Sequence, residues 1–227
     1  MIKKYICLFL AIGVISSVPI IPVHAEETTK TEQSNAVVNL QALIDAQNSG
    51  ILKNGKIVLV LSGNRDAFAL ERAHKAGIAT EVVVKKECAD QAEFEKKMVD
   101  VLTAHSVDLI VLAGFMNILS ADFTGRYPQR IINVHPSLIP SFCGKGFYGL
   151  RVHEAALSYG VKVTGATVHF VNEIPDGGRI IAQKAVAIQP GDTPEILQKR
   201  VMEEAEWILL PQAVETVSAS IRKGETV

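Results

Sequence analysis

Apolar runs of strand length alternate along this chain with segments of helical period, which predicts an α/β protein: a mostly parallel sheet with helices on both faces. Three observations carry that prediction. KIVLVLS (56–62) and DLIVLAG (108–114) are continuous apolar runs, the mark of strands buried on both faces. The stretches between such runs repeat apolar residues at helical spacing, as in the stripe Phe94, Met98, Val101 and Leu102. No repeat and no Gly/Pro-rich linker divides residues 39–227, so one domain is expected there.

Taken in order, NLQALIDAQ (39–47) predicts a helix with Leu40, Leu43 and Ile44 on one face. The strand at 56–62 follows, then a helix at 66–76, a strand near 80–84, the helix carrying Phe94 and Met98, and the strand at 108–114. A short helix at 121–126 leads to the strand RIINV, 130–134. HPSLIPSFCGKGF is too rich in Pro and Gly for regular structure, and such loops often carry function. After the helix GLRVHEAALSYG come strands at 162–171 and 178–188, separated by NEIPDGG, whose DGG marks a turn. A last helix starts near Thr193, with Pro194 at its first position, and is expected to bend at Pro211.

Composition narrows the function. With 227 residues, 48% hydrophobic, and a formal net charge of -1, the chain offers no electrostatic footprint for a duplex or an anionic membrane, and a small-molecule substrate is favoured. Cys7, Cys88 and Cys143 build neither a disulfide framework nor a paired CxxC metal spacing, so no metal is expected. Cys143 has a conceivable nucleophilic role, but a loop cysteine without function is the simpler reading.

The N-terminus differs from the rest. MIKK is basic, YICLFLAIGVISSVPIIPV is apolar, and Val23-His24-Ala25 precedes a polar run, so residues 1–25 read as a secretory signal and 26–38 as a polar connection. Export follows if that segment is cleaved. AIGVISS alternatively reads as a buried strand, and periodicity does not separate the two.

Ligands of open parallel sheets bind beyond the carboxyl ends of the strands, which directs attention to Asn133 and His135 at the end of RIINV, on the same side of the strand. By itself a His before Pro is more often a loop residue than a catalyst. Asp176, in the turn NEIPDGG, could approach that imidazole or simply serve the turn. AGFMNILS (113–120) supplies a further strand end, either a ligand wall or a tight turn.

AGFMNILS, INVHPSLIPSF, ATVHFV, IPDGGRIIAQ and AEWILLP occur in this order, and with them the chain resembles the folate-dependent formyltransferases, above all those acting on glycinamide ribonucleotide. The resemblance covers about residues 39–222 and implies a Rossmann-like formyltransferase fold, with 10-formyltetrahydrofolate as co-substrate, no metal, and a monomer or weak homodimer that binds no nucleic acid. It further implies that Asn133 and His135 stabilise the oxyanion of a tetrahedral intermediate, and that Asp176 raises the pKa of His135. Met116, Asn117, Ile118 and Leu119 would line the pterin pocket together with Asn133, Asn172, Glu173, Ile174, Pro175 and Asp176. Asn39 and Glu206 would hold the amine substrate; without the resemblance, Glu206 in MEEAE reads as a solvated helix position.

Related chemistries share the Asn, His and Asp set: formyltetrahydrofolate hydrolysis, methionyl-tRNA formylation and sugar-nucleotide formylation. The C-terminal domain of the tRNA enzyme after residue 222 and the N-terminal regulatory domain of the hydrolase before residue 39 are not expected from this length, and AEWILLP favours the purine enzymes. The departures lie at the start. Where relatives place a first strand and a loop of the type SGGGTNLQ, this chain has Ser34, Asn35, Ala36, Val37, Val38, Asn39, Leu40 and Gln41. Branched valines resist the close backbone approach of a phosphate cradle, so first strand and phosphate loop are expected to be atypical or missing. Gln91 stands where some relatives have a basic residue. Family function implies a cytoplasmic enzyme, the signal-like start allows export, and a non-catalytic folate-binding paralogue or a formyltransferase acting on another amine is the alternative.

Overall fold

In the computed structural model, residues 4–10 and 23–225 are described. Seven strands form one sheet: β1 (Lys4–Leu10), β2 (Gly55–Ser62), β3 (Ala79–Val82), β4 (Leu109–Leu112), β5 (Ile131–His135), β6 (Val163–Phe170) and β7 (Ile180–Ala187). Their order is β3-β2-β1-β4-β5-β6-β7. β1 to β5 pair in parallel, whereas β6 and β7 are antiparallel additions at one edge.

Alternation along the strands feeds two cores. Leu109 and Val111 face one core with Leu40, Leu43, Leu210 and Val214, while Ile110 and Leu112 face the other with Phe94, Met98 and Phe123. Helices therefore cover both faces, as expected. α1 (Val23–Asn48) and α7 (Trp207–Lys223) pack on the first, and α3 (Gln91–Ala104) and α4 (Ala121–Arg126) on the second. The remaining helices are α2 (Phe68–Lys75), α5 (Leu150–Tyr159) and α6 (Pro194–Val201).

Three expectations are corrected. The strand that joins β2 to β4 is Lys4–Leu10, earlier than AIGVISS, which lies outside the described residues. The polar connection expected at 26–38 is helical, because α1 begins at Val23. EETTKTEQ holds helix-forming Glu, Lys and Gln without an apolar stripe, so it gives no periodic signal. The bend expected at Pro211 is instead a π-helical turn, Met202–Glu206, between α6 and α7, with Pro211 inside α7. A π turn admits an extra residue per turn, and here it turns Ala205 and Glu206 inward.

Candidate active site

Strand register assembles the site. Ile132 and Val134 of β5 pack into the first core, so Asn133 and His135 face the opposite side of the sheet. Asn133 pairs in register with His169 of β6, and His135 with Thr167, which brings four polar side chains onto one face. Gly165 lies on the same face and admits no side chain, since a Cβ there would stand 2.0 Å from the Lys184 carbonyl.

Asp176 reaches this face through the turn between β6 and β7. Asn172 Oδ1 accepts the Ile174 N–H at 3.0 Å, the Ile174 carbonyl accepts the Gly177 N–H at 2.9 Å, and Asp176 adopts φ 54. Gly178 is required because a Cβ would lie 1.7 Å from the Phe170 carbonyl. The Asp176 carboxylate then sits between two imidazoles. Oδ2 is 3.5 Å from His135 Nδ1, Oδ1 is 3.5 Å from His169 Nε2, and the Gly144 N–H donates to Oδ2 at 2.8 Å.

The imidazoles are anchored at their other nitrogens. His135 Nε2 stands 2.9 Å from the Phe142 carbonyl and His169 Nδ1 2.8 Å from the Phe170 carbonyl. Carbonyls only accept, so each of those nitrogens carries a hydrogen. His169 Nε2 is also 3.3 Å from Asn133 Nδ2.

Charge at the site follows from burial and partners. Burial pushes the His135 pKa below the ordinary histidine value; the Asp176 charge and the Phe142 carbonyl work upward but do not overcome it, and His169 adds to the lowering. The expected rise at His135 is thus reversed in net effect, although the contribution of Asp176 has the expected sign. Burial also opposes the Asp176 charge, but hydrogen bonding from His169, the His135 charge and the Gly144 amide outweigh it and hold the carboxyl below its usual value. For Cys143, burial and then the Asp176 charge raise the thiol, against a nucleophilic role.

These residues open onto a cavity of about 330 Å³. Met116, Asn117, Ile118 and Leu119 form one wall, and Asn172, Ile174, Pro175 and Asp176 another. Asn39 and Glu206 close the far end, where Asn39 Nδ2 donates to Glu206 Oε2 at 3.1 Å. Glu206 is 3% exposed, not solvated, and burial pushes its carboxyl up to about 7 against the pull of Asn39. Asn39 Oδ1 and Glu206 Oε1 are buried without a hydrogen-bond partner among the described residues.

Glu173 is the one expected lining residue that the cavity does not take. Asn172 folds its side chain onto the backbone of Ile174, and Glu173 projects outward to a separate groove with Thr124 and Arg179. Sequence reasoning missed His169 and His153, and it marked Gly144 to Phe147 as part of a loop of the kind that carries function without assigning them to the cavity that Gly144 to Gly149 line. His169 lay within ATVHFV, but its approach to Asn133 depends on an antiparallel register that one strand does not reveal. His153 is fully buried on α5, and burial, with His135 nearby, brings its pKa down to about 4.

A partly buried carboxylate flanked by imidazoles, with an amide beside them at a strand end, is equipped to polarise a carbonyl and manage one proton. The formyl transferase family model matches residues 33–214, and the chain belongs to that family. It is similar to phosphoribosylglycinamide formyltransferase of Haemophilus influenzae, 40% identical over 176 residues that cover 78% of this chain and 80% of that protein. Trifunctional purine biosynthetic protein adenosine-3 of Bos taurus is 43% identical over 82% of this chain, which spans only 18% of that longer protein. For the chloroplastic phosphoribosylglycinamide formyltransferase of Arabidopsis thaliana the chain spans 52% of its length. Among solved structures, glycinamide ribonucleotide transformylase 1 of Symbiobacterium toebii superimposes with a TM-score of 0.79 at 32% identity, covering 96% of this chain and 89% of that one.

Proposed function

We propose that this chain transfers the formyl group of 10-formyltetrahydrofolate to the primary amine of glycinamide ribonucleotide. The observation that carries this reading is the convergence of Asn133, His135 and Asp176 on one cavity whose walls include residues 116–119 and the Asn39–Glu206 pair. The amine lone pair attacks the formyl carbon, giving a tetrahedral intermediate whose oxyanion accepts hydrogen bonds from the Asn133 amide and from His135 Nε2–H, which exchanges the Phe142 carbonyl for the developing charge. Collapse breaks the bond to the folate nitrogen N10, which leaves with the proton given up by the amine. Asp176 orients His135 and stabilises its charged form.

Glu206 and Asn39, with free acceptor oxygens, suit the hydroxyl or amine hydrogens of the second substrate. Its phosphate is served differently. Residues 34–41 lie inside α1, where backbone N–H groups bond within the helix instead of pointing at an anion. In a label-transfer assay with formyl-labelled 10-formyltetrahydrofolate, glycinamide ribonucleotide is expected to become labelled. The phosphate-free riboside should be used with a KM within about tenfold of that for the ribonucleotide, since a helical segment stands where a backbone cradle would grip the phosphate. Folate binding without label transfer would favour the second reading, a non-catalytic folate-binding paralogue, whose support is this same helical segment.

For the signal-like start, retention is the reading we favour. Lys4–Leu10 pairs with both β2 and β4, and losing it would leave two sheet edges facing each other. Intact mass of the protein from its host should include residues 4–10. A soluble, active product beginning at Glu26 would overturn retention.

A further inference from the structure

A buried carboxylate on α3 takes no part in the chemistry above. Glu95 is 7% exposed, and no ion pair to it occurs among the described residues. It is satisfied by donors instead: the Ser120 N–H at 2.8 Å, the Ser120 hydroxyl, and Gln91 Nε2 at 2.6 Å. Three donors on one carboxylate make its burial tolerable and give the bonds charge-assisted strength.

Two of these bonds end on Ser120, the residue that follows the cavity wall. Residues 113–120 join β4 to α4 without regular structure, and Gly114 there has φ 64, so neither a ladder nor a helix fixes their path. The wall is held from α3. Gln91 Nε2 reaches the Ile118 carbonyl at 3.3 Å while also bonding Glu95, and Glu95 grips Ser120 at both its N–H and its hydroxyl. The Ser120 hydroxyl, its proton given to Glu95, keeps a lone pair for the Phe123 N–H at 3.1 Å and caps α4. One carboxylate thus fixes both the end of the wall and the start of the helix that follows. Lys85 adds only an exposed contact to Asn117 at 3.4 Å.

We infer that Glu95, acting through Ser120 and Gln91, is a positioning residue for the folate co-substrate: it sets where residues 116–119 meet the pterin and so governs folate affinity without touching the ligand. This rests on the formyltransferase reading. It also gives Gln91 a role as a neutral strut, in a place where a cation would compete with Ser120 for Glu95.

Glu95→Gln in the full chain tests it, because the shape is kept while an amide NH2 replaces one acceptor and confronts a donor. The KM for 10-formyltetrahydrofolate is expected to rise about tenfold, with kcat and the KM for glycinamide ribonucleotide unchanged. Ser120→Ala should move the same constant, and the double variant should be little worse than Glu95→Gln alone, since both cut one linkage. If Glu95→Gln does not fold, Gln91→Ala at the more exposed end must still raise only the folate KM. An unchanged folate KM in a folded variant, or kcat and both KM values shifting together, overturns the inference. Equilibrium dialysis of 10-formyltetrahydrofolate against the unmodified chain separates the two levels. Failure of the unmodified chain to bind removes the formyltransferase reading and this inference with it, whereas equal binding by the unmodified chain and Glu95→Gln removes the inference alone.

Discussion

Asp176→Asn is expected to lower the rate of formyl transfer by roughly 10²- to 10⁴-fold, the range associated with losing a positioned acid–base group. The amide is isosteric, so folding should survive. Chemistry should not, because two functions fail together. Among the described residues, Asp176 is the one group acting on His135 whose charge favours the imidazolium, and burial already holds that imidazole below its ordinary pKa. Without the carboxylate, the pKa of His135 falls further, and the limb of the kcat/KM profile that reports its protonated form moves to lower pH. The amide must also meet His135, His169 and the Gly144 N–H at distances set for an acceptor, and its NH2 cannot satisfy all three. Folate KM should change less than kcat, since the wall at 116–119 is untouched and the isosteric amide keeps the shape of the wall that Asp176 lines. Transfer within a few-fold of the parent would remove Asp176 from the mechanism. Stability tells the same story with opposite pH sense: the lowered Asp176 pKa contributes stability above the ordinary carboxylate range that disappears as pH falls through it.

Glu206→Gln should separate binding from stability even more sharply. The Glu206 carboxyl titrates near 7 in the folded chain against 4.5 ordinarily, so its folded-state pKa is raised. A raised carboxyl favours the fold most at low pH, and that preference is lost as pH climbs from about 4.5 to about 7. At pH 8 the ligand-free chain carries a buried charge that only Asn39 offsets, and Gln removes it. Thermal unfolding should therefore show little difference between the two chains at pH 5 and a more stable variant at pH 8, by at most on the order of 3 kcal/mol. Substrate recognition moves the other way. Oε1 is a buried acceptor with no partner among the described residues, and replacing it with NH2 is expected to reduce kcat/KM for the amine substrate by roughly 10- to 100-fold. A variant that gained no stability at pH 8, or kept full kcat/KM, would contradict the assignment.

Legibility in the sequence differed from element to element for physical reasons. Strands buried on both faces announce themselves, and KIVLVLS and DLIVLAG appear as β2 and β4 with small changes at their ends. α1 was legible only where its apolar face begins. Its earlier turns, rich in Glu, Lys and Gln, carry propensity without pattern. Glu206 looked like part of a solvated acidic run because a regular helix would leave MEEAE largely outside, and a π turn redirects it. Glu95 gave no signal either, since its importance lies in a loop residue, Ser120, on another element.

By itself the sequence determined the α/β class and placed Asn133 and His135 on one side of a strand, because both follow from periodicities of two and 3.6 along a single chain. Its ordered motifs also pointed to the formyltransferase family. Only the tertiary structure decided that His169 joins the pair, that Glu173 stays out, and that burial outweighs Asp176 at His135. Register between antiparallel strands, the direction of a turn and the loss of solvent are properties of elements brought together, and no local pattern of residues encodes them.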